Sequence, residues 1–516
     1  MTKTDPDMPP ERPWFPAVLS GALLGCLALA AAGCASDPES RPAPVPIPRT
    51  FSTDTPRAES RETGIVEADT LRTDTVAADS LRSGRRPRDS VGWWKDFRDP
   101  ALDSLVALTL GENFDLLAAW ARFRQSVAVA REAGAARFPR IDLNANASRS
   151  KRYLNLGIPQ APSTVTTEQY GISLAARYEV DLWGRLADLD EAAEMEAAAS
   201  RYDVATLAMS LSARVAETWY GLMTQREQRR LLRDQLSADS TLLTLVRLRF
   251  GSGLASAVDV YQQRQQLLAT AGEIPRARAR IATFRNQIAV LTGRPPGRGL
   301  REEGLDELPV PPPPEAGLPI TVLDRRPDVQ AAWLRLRAAD HRVAAAVKNR
   351  LPALRLNGSL GYNSSELSNL FAEWVYSIGA SIVAPLFDFG RRRAAADRQR
   401  AAVEAAVANL GSTLLVSLRE VEDALAQGAR QREYVGKVRE RLAVAERLLE
   451  QARARYRQGL SDYLPVLNAV QTLRGLQRSL LSARYQVLVY RIQLYRALGG
   501  RWMDALEPMS TSADSR

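Results

Sequence analysis

From Tyr170 to Asp181 the side chains alternate, with Tyr170, Ile172, Leu174, Ala176, Tyr178 and Val180 on one face and Gly171, Ser173, Ala175, Arg177, Glu179 and Asp181 on the other. A period of two is that of a β-strand with one oily and one polar face. Three further stretches behave alike. Ile141, Leu143, Ala145 and Ala147 alternate with Asp142, Asn144, Asn146 and Ser148. Leu354, Leu356, Gly358, Leu360 and Tyr362 alternate with Arg355, Asn357, Ser359, Gly361 and Asn363, and in the fourth stretch Tyr376, Ile378, Ala380, Ile382 and Ala384 share a face. Each strand is expected to run about nine to twelve residues, enough to cross a bilayer when tilted, its oily face on lipid and its polar face on water. Four strands cannot close a barrel, and open edges are not tolerated in hydrocarbon, so the closed sheet has to come from several chains. Two copies would give eight strands filled with side chains, and three would give twelve around a pore. The alternative is a soluble coiled-coil protein carrying two small hairpin sheets.

After each strand pair the pattern changes. Segments 186 to 249 and 394 to 457 contain no Pro; the first has a single Gly, Gly221, and the second has three. Both are rich in Ala, Leu, Arg, Glu and Gln, the strong helix formers. About 64 residues at 1.5 Å each predict a rod of about 95 Å, far beyond a globular core helix. Short turns, GSGLAS and RQGLSD, precede return helices of about 35 residues, so each unit is expected to end in a long antiparallel hairpin.

The units repeat. Gly184 aligns with Gly390, Phe250 with Tyr456, Gly253 with Gly459, and LTG at 291–293 with ALG at 497–499, all at an offset of 206 residues. Upstream, Asp115, Trp120 and Phe138-Pro139 match Asp328, Trp333 and Leu351-Pro352 at 213. A register held over this length reads as one structural unit used twice, over 92–293 and 318–500. The Pro run of 294–317 reads as an extended connector and 501–516 as a C-terminal tail.

The N-terminal part has another character. AVLSGALLGCLALAAA, from Ala17 to Ala32, has the length of a signal-peptide apolar region and is short for a transmembrane helix. Small residues then lead to Cys34, which resembles a bacterial lipobox. The implied chemistry is removal of 1–33, a diacylglyceryl group on the Cys34 thiol and acylation of the new amine. Ala35 in place of Asp implies, by resemblance to bacterial lipoproteins, outer-membrane sorting. From 36 to about 90 the chain is rich in Pro, Ser, Thr, Asp and Arg without a hydrophobic period, so 34–91 is read as a lipidated N-terminus and disordered linker, with the fold starting near Trp93.

Composition narrows the chemistry. The net charge of +10 comes mostly from Arg, interleaved with Asp, Glu and Gln along helical stretches, which reads as a solvated face and not a nucleic-acid surface. The two cysteines, Cys26 and Cys34, leave no disulfide or Cys-rich metal site for the body of the chain. The one histidine, His341, sits in a helical segment, and no nucleophile elbow, phosphate loop or metal-spaced cluster is present, so neither catalysis nor a cofactor is expected.

WWKDFRDPALDSLVALTLGENFDLLAAWARFRQ, YEVDLWGR, GLPITVLDRRPDVQAAWLRLRAAD, APLFDFGRRRAAA and ARYRQGLSDYLPVL, in this order, resemble the OprM and NodT branch of TolC-like outer membrane factors. The resemblance implies an α+β membrane protein: a homotrimer with a twelve-stranded barrel in outer-membrane lipid and a periplasmic tunnel of helices. It further implies the exit duct of a tripartite efflux pump or of a type I secretion system, working with a periplasmic adaptor and an inner-membrane transporter, of the RND type. A purely structural lipoprotein spacing the envelope is the other function class. By the same resemblance Leu464 supplies an apolar ring at the periplasmic mouth. Asn468 and Gln471 stand where the family carries an acidic and a basic gating residue, and Val258 and Gln262 are the next gate candidates. Gly253-Leu254 and Gly459-Leu460 match the tip motif that meets the adaptor.

Overall fold

The computed structural model describes residues 45–48, 50–51, 92–155, 162–297, 310–314, 317 and 319–499. A short 3-10 turn, Trp93–Phe97, leads into α1 (Pro100–Glu112) and α2 (Phe114–Ala135). The first strand pair follows, β1 (Arg140–Asn155) and β2 (Pro162–Val180), and then the first long hairpin, α3 (Arg185–Gly251) with α4 (Ala257–Leu291). The second half repeats the order: α5 (Pro319–Arg325), α6 (Pro327–Lys348), β3 (Ala353–Ser364), β4 (Trp374–Val383), α7 (Arg391–Arg457) and α8 (Leu464–Ala497). Both α3 and α7 are 67 residues long, as the absence of Pro predicts.

The strands form one antiparallel sheet in the order β1-β2-β3-β4. Its register puts like with like across all four strands. Leu143 faces Leu174, which faces Leu360, which faces Tyr376. On the other face Asn146, Gly171 and Asn363 form a row, and a Cβ on Gly171 would come within 2.5 Å of the Asn146 Oδ1 and 2.6 Å of the Asn363 Oδ1. Only glycine lets these two amides close over the middle strand.

Two expectations need correction. β1 and β2 have 16 and 19 residues, against the nine to twelve read from the oily alternation. Beyond Tyr170 the extra rungs pair Arg149 with Glu168 and Lys151 with Thr166. Apart from Tyr153, Leu154 and Val165 the residues of these rungs are polar or Pro, so the apolar period that marks a bilayer crossing stops before the hydrogen-bonded ladder does. Within the span read as a disordered linker, Phe51 is fully buried, packed with Val322, Leu323, Val329 and Val421 on the second repeat, with Ile47 against the same cluster.

The helical core starts from aromatics. Trp93 stacks on Tyr495 and Phe97 on Tyr220, with centroids 5.4 and 5.5 Å apart. Asp99 joins the two levels of structure: one oxygen accepts from Ala101 N and Leu102 N, capping α1, and the other accepts from the buried Trp219 indole at 2.7 Å. α3 packs on α4, α2, α6 and α8, while α6 lies between α3 and α7.

The duplication is visible in contacts. Asn113 donates to the carbonyl of Leu291 at 2.9 Å, and Arg326, its counterpart at 213, donates to that of Ala497, the counterpart at 206, at 3.0 Å. Gly293 and Gly499 end the return helices with φ of 70° and 78°. A Cβ on Gly293 would fall 2.3 Å from the Glu112 carbonyl oxygen, and on Gly499, 3.3 Å from that of Arg325.

The two sheet faces predict a mutational asymmetry. An Arg at Leu174 or Ile378 should cost about 2–4 kcal/mol near the bilayer midplane, whereas Ser381→Arg on the polar face should be mild. Heat-modified gel mobility of the folded barrel is the readout, and equal damage on both faces would mean that the sheet does not sit in a bilayer.

Candidate functional site

Each hairpin turns by the same device. At the first tip Leu254 N bonds back to Arg249 O at 2.8 Å and Gly253 takes φ 72°; at the second, Leu460 N bonds to Arg455 O at 2.9 Å and Gly459 takes φ 75°. A left-handed glycine closing a helix with backward bonds satisfies the last carbonyls. Ser256 and Asp259 then form a reciprocal capping box that starts α4, while Pro465 occupies the first turn of α8. The result is a pair of exposed leucines, Leu254 and Leu460, both 64% accessible.

The gate candidates of the second tip lie on one helical face. Leu464, Asn468 and Gln471, spaced by four and three residues, are exposed, while Val466, Leu467, Ala469 and Val470 face inward. The inward set packs on Leu242, Val246, Leu449, Ala452 and Tyr456. Leu464 is therefore free of the hairpin's own core, with 51% of its surface accessible. On α4, Val258 is exposed and Gln262 half-buried one turn later. These two are the counterparts of Leu464 and Asn468 at the 206 offset. A further turn along α4, Gln266 Oε1 accepts from Gln471 Nε2 at 3.1 Å, so the structure joins the second gate face to the first hairpin.

Behind this face lies a buried polar cluster that the sequence reading did not single out. Asp239 of α3 is fully buried and forms a 2.6 Å ion pair with Arg474 of α8, itself 6% accessible. Thr270 donates to the same carboxylate at 2.8 Å, and Gln263 donates to the Asp239 carbonyl at 2.9 Å and to its Oδ1 at 3.1 Å. The Tyr463 hydroxyl donates to Gln263 Oε1, and Arg474 Nη2 reaches the Gln235 carbonyl at 3.3 Å. Three helices, α3, α4 and α8, are thus tied at one level just inside the tips. Burial, with Tyr456 and Asp239 adding to it, pushes the Tyr463 phenol well above its ordinary range. Tyr456 is raised for the same first reason, and Arg249 lies over its ring at 4.4 Å.

His341 sits between α6 and α3, its Nδ1 3.1 Å from Glu191 and 3.6 Å from Asp188. Among the described residues no group of His, Cys, Asp and Glu is placed to hold a metal ion. Cys34 lies outside the described residues.

Comparison with known proteins returns a single picture. The family model described as "Outer membrane efflux protein" matches residues 105–294 and again 318–500. The pyoverdine export outer membrane protein OpmQ of Pseudomonas aeruginosa is 32% identical over 414 residues, 80% of this chain and 87% of OpmQ. The cation efflux system protein CusC of Escherichia coli K12 is 26% identical over 481 residues, covering 92% and 98%. Among solved structures, the outer-membrane channel OprN superposes with a TM-score of 0.75 at 28% identity over 80% of this chain and 92% of OprN. VceC of Vibrio cholerae does so at 0.74 and 26% identity over 80% of this chain and 99% of VceC.

The Asp239 cluster predicts a severe single substitution. Arg474→Ala leaves a buried carboxylate without its cation and should destabilise the hairpin junction by about 3–5 kcal/mol, whereas Asp239→Leu with Arg474→Met should recover most of the loss. Amide hydrogen exchange across α8 measures both.

Proposed function

The chain belongs to the outer membrane efflux protein family, and from that premise we propose that it works as a homotrimer gated at the tips of its helical hairpins. Its activity is that of an outer-membrane channel of a tripartite efflux system, a duct that conducts passively and carries out no chemistry.

The sheet supports a multi-copy barrel. Among the described residues β1 and β4 each have a single hydrogen-bonded neighbour, and such edges cannot face hydrocarbon unpaired. Three copies supply twelve strands, enough for a lumen lined by the polar rows of Asn146, Gly171 and Asn363.

The gate rests on a single observation: Leu464, Asn468 and Gln471 project off the hairpin while their neighbours do its packing. Three copies of Leu464 would form an apolar ring narrow enough to shed water. Asn468 and Gln471 form no ion pair with each other, so closure depends on this ring and on the Gln266–Gln471 bond. Leu254 and Leu460 beside their turning glycines are the contacts offered to a periplasmic adaptor, and an inner-membrane transporter of the RND type completes the assembly. That transporter selects the cargo. OpmQ is named for pyoverdine and CusC for cations, and neither cargo is assigned to this chain.

Acylation at Cys34 would hold the mature N-terminus in the same membrane, since each buried methylene contributes about 0.8 kcal/mol. Mass spectrometry of the mature N-terminus should show a lipid-modified Cys34; an unmodified start elsewhere removes the anchor from the scheme. For the gate, single-channel conductance in planar bilayers should be nearly nil for the wild type and clearly raised in Leu464→Ser. An unchanged conductance in that variant would move the constriction to Val258 and Gln262.

A further inference from the structure

The two strand pairs are superposable in register as well as in sequence. Displacing β1 by 213 residues onto β3 and β2 by 206 onto β4 carries the pair Arg140–Arg177 onto Ala353–Val383 and the pair Leu143–Leu174 onto Leu356–Ala380. Both images are observed pairs. The sheet therefore contains one kind of hairpin used twice, joined by one seam, β2 on β3. The same displacement applied to that seam places β4 beside a strand equivalent to β1. The chain's own β1 lies at the opposite edge, so another copy must supply it.

We propose that β4 of one copy pairs with β1 of the next in the register of the β2–β3 seam, with Ser381 opposite Asn146, Ile382 opposite Ala145 and Ala380 opposite Ala147. These are the images of Ala175–Ser359, Ala176–Gly358 and Leu174–Leu360. The inference rests on the multi-copy barrel and adds the register to it. It keeps the faces in phase, since Ile382, Ala380, Ala145 and Ala147 join the oily rows, and Ser381 and Asn146 join the polar ones. A slip by one residue would mix them, so only slips by two compete, and the internal repeat selects among those.

The same displacement extends to the helices beside the seam. Within the chain α6 is bound to α3 by charge: Arg335 to Asp203 and Glu196, Arg342 to Glu196, and Lys348 to Asp188 at 2.6 Å. Displaced to the seam between copies, α6 becomes α2 and α3 becomes α7. Arg342 becomes Val129 and Lys348 becomes Ala135, while Glu196 becomes Ala402 and Asp188 becomes Ala394. Arg335 and Asp203 become Arg122 and Asn409, so the imaged seam keeps one of these six charges and none of the ion pairs. Val129 is 52% exposed within the chain. α7 holds a stretch long and apolar enough to cross a membrane, yet only 33% of it is buried. Its run from 401 to 418 carries one charge, Glu404. A second copy's α2 seated on this run covers it without any membrane. Trp183 adds a further image: its indole donates to the Pro352 carbonyl at 2.7 Å, and its counterpart Phe389, 91% exposed, would lie over Pro139 of the next copy.

Oxidative cross-linking of the full-length protein in outer membranes tests the register. Ser381→Cys with Asn146→Cys should give covalent chains on boiled, non-reducing gels. The yield should be on the order of tenfold above Ser381→Cys with Asn144→Cys or with Ser148→Cys, because a two-residue slip carries the Cα atoms beyond disulfide reach. A second pair, Val129→Cys with Ala402→Cys, reads the helical seam in a barrel left untouched. Strongest cross-linking at a slipped strand pair, or none at Val129–Ala402, in a protein that still runs as an oligomer overturns the register and spares the multi-copy barrel. A monomeric mass with no cross-link at any pair overturns both.

Discussion

A backbone inside hydrocarbon has no water to bond, so every amide and carbonyl of the sheet needs a partner from the protein. Among the described residues β2 and β3 have partners on both sides, and β1 and β4 have one each. That deficit makes assembly part of folding for this chain. It also explains why the sheet keeps such strict rows: with one face on lipid and one on water, each rung must sort all of its side chains together, as Leu143, Leu174, Leu360 and Tyr376 do. The apolar stretch of α7, only 33% buried within the chain, raises the same question of cover in the helices.

Long helices pose the opposite problem. A rod of 67 residues has too little core at any one level to fix its neighbours, so it is pinned at intervals by polar contacts. Near the sheet the pins are Asp99 on Trp219 and Arg326 on Glu420, Asp328 and the Ala497 carbonyl. Near the tips the pin is Asp239, holding Arg474, Gln263 and Thr270. A buried charge satisfied this fully is costly to disturb, which gives the junction a definite arrangement behind the exposed face of Leu464, Asn468 and Gln471.

Much of this was legible in the residues. Period-two alternation placed four strands on their correct faces, because successive Cβ atoms of a strand point to opposite sides whatever surrounds them. The missing prolines placed α3 and α7 to within a few residues of their ends. The glycines at 253 and 459 marked turns that only a left-handed residue makes, and Leu464, Asn468 and Gln471 fell on one exposed face as their spacing requires. The full length of β1 and β2 was not legible, since their outer rungs are mostly polar and show no sustained alternation. Nor was the burial of Phe51, an isolated aromatic in a polar stretch whose groove is built from residues Val322 to Val421 of α5, α6 and α7, far along the chain.

What the sequence determined by itself is whatever depends on local geometry: strand faces, helix lengths, turns, and a duplication whose two offsets carry over unchanged into the β-ladder. Only the tertiary structure decided which polar residues are buried together. Asp239 and Arg474 are 235 positions apart, and nothing in either helix distinguishes them from the solvated Asp and Arg around them. Their pairing exists because α3 and α8 pack at that level, where the low dielectric of a closed seam makes an unpaired charge untenable and a paired one specific.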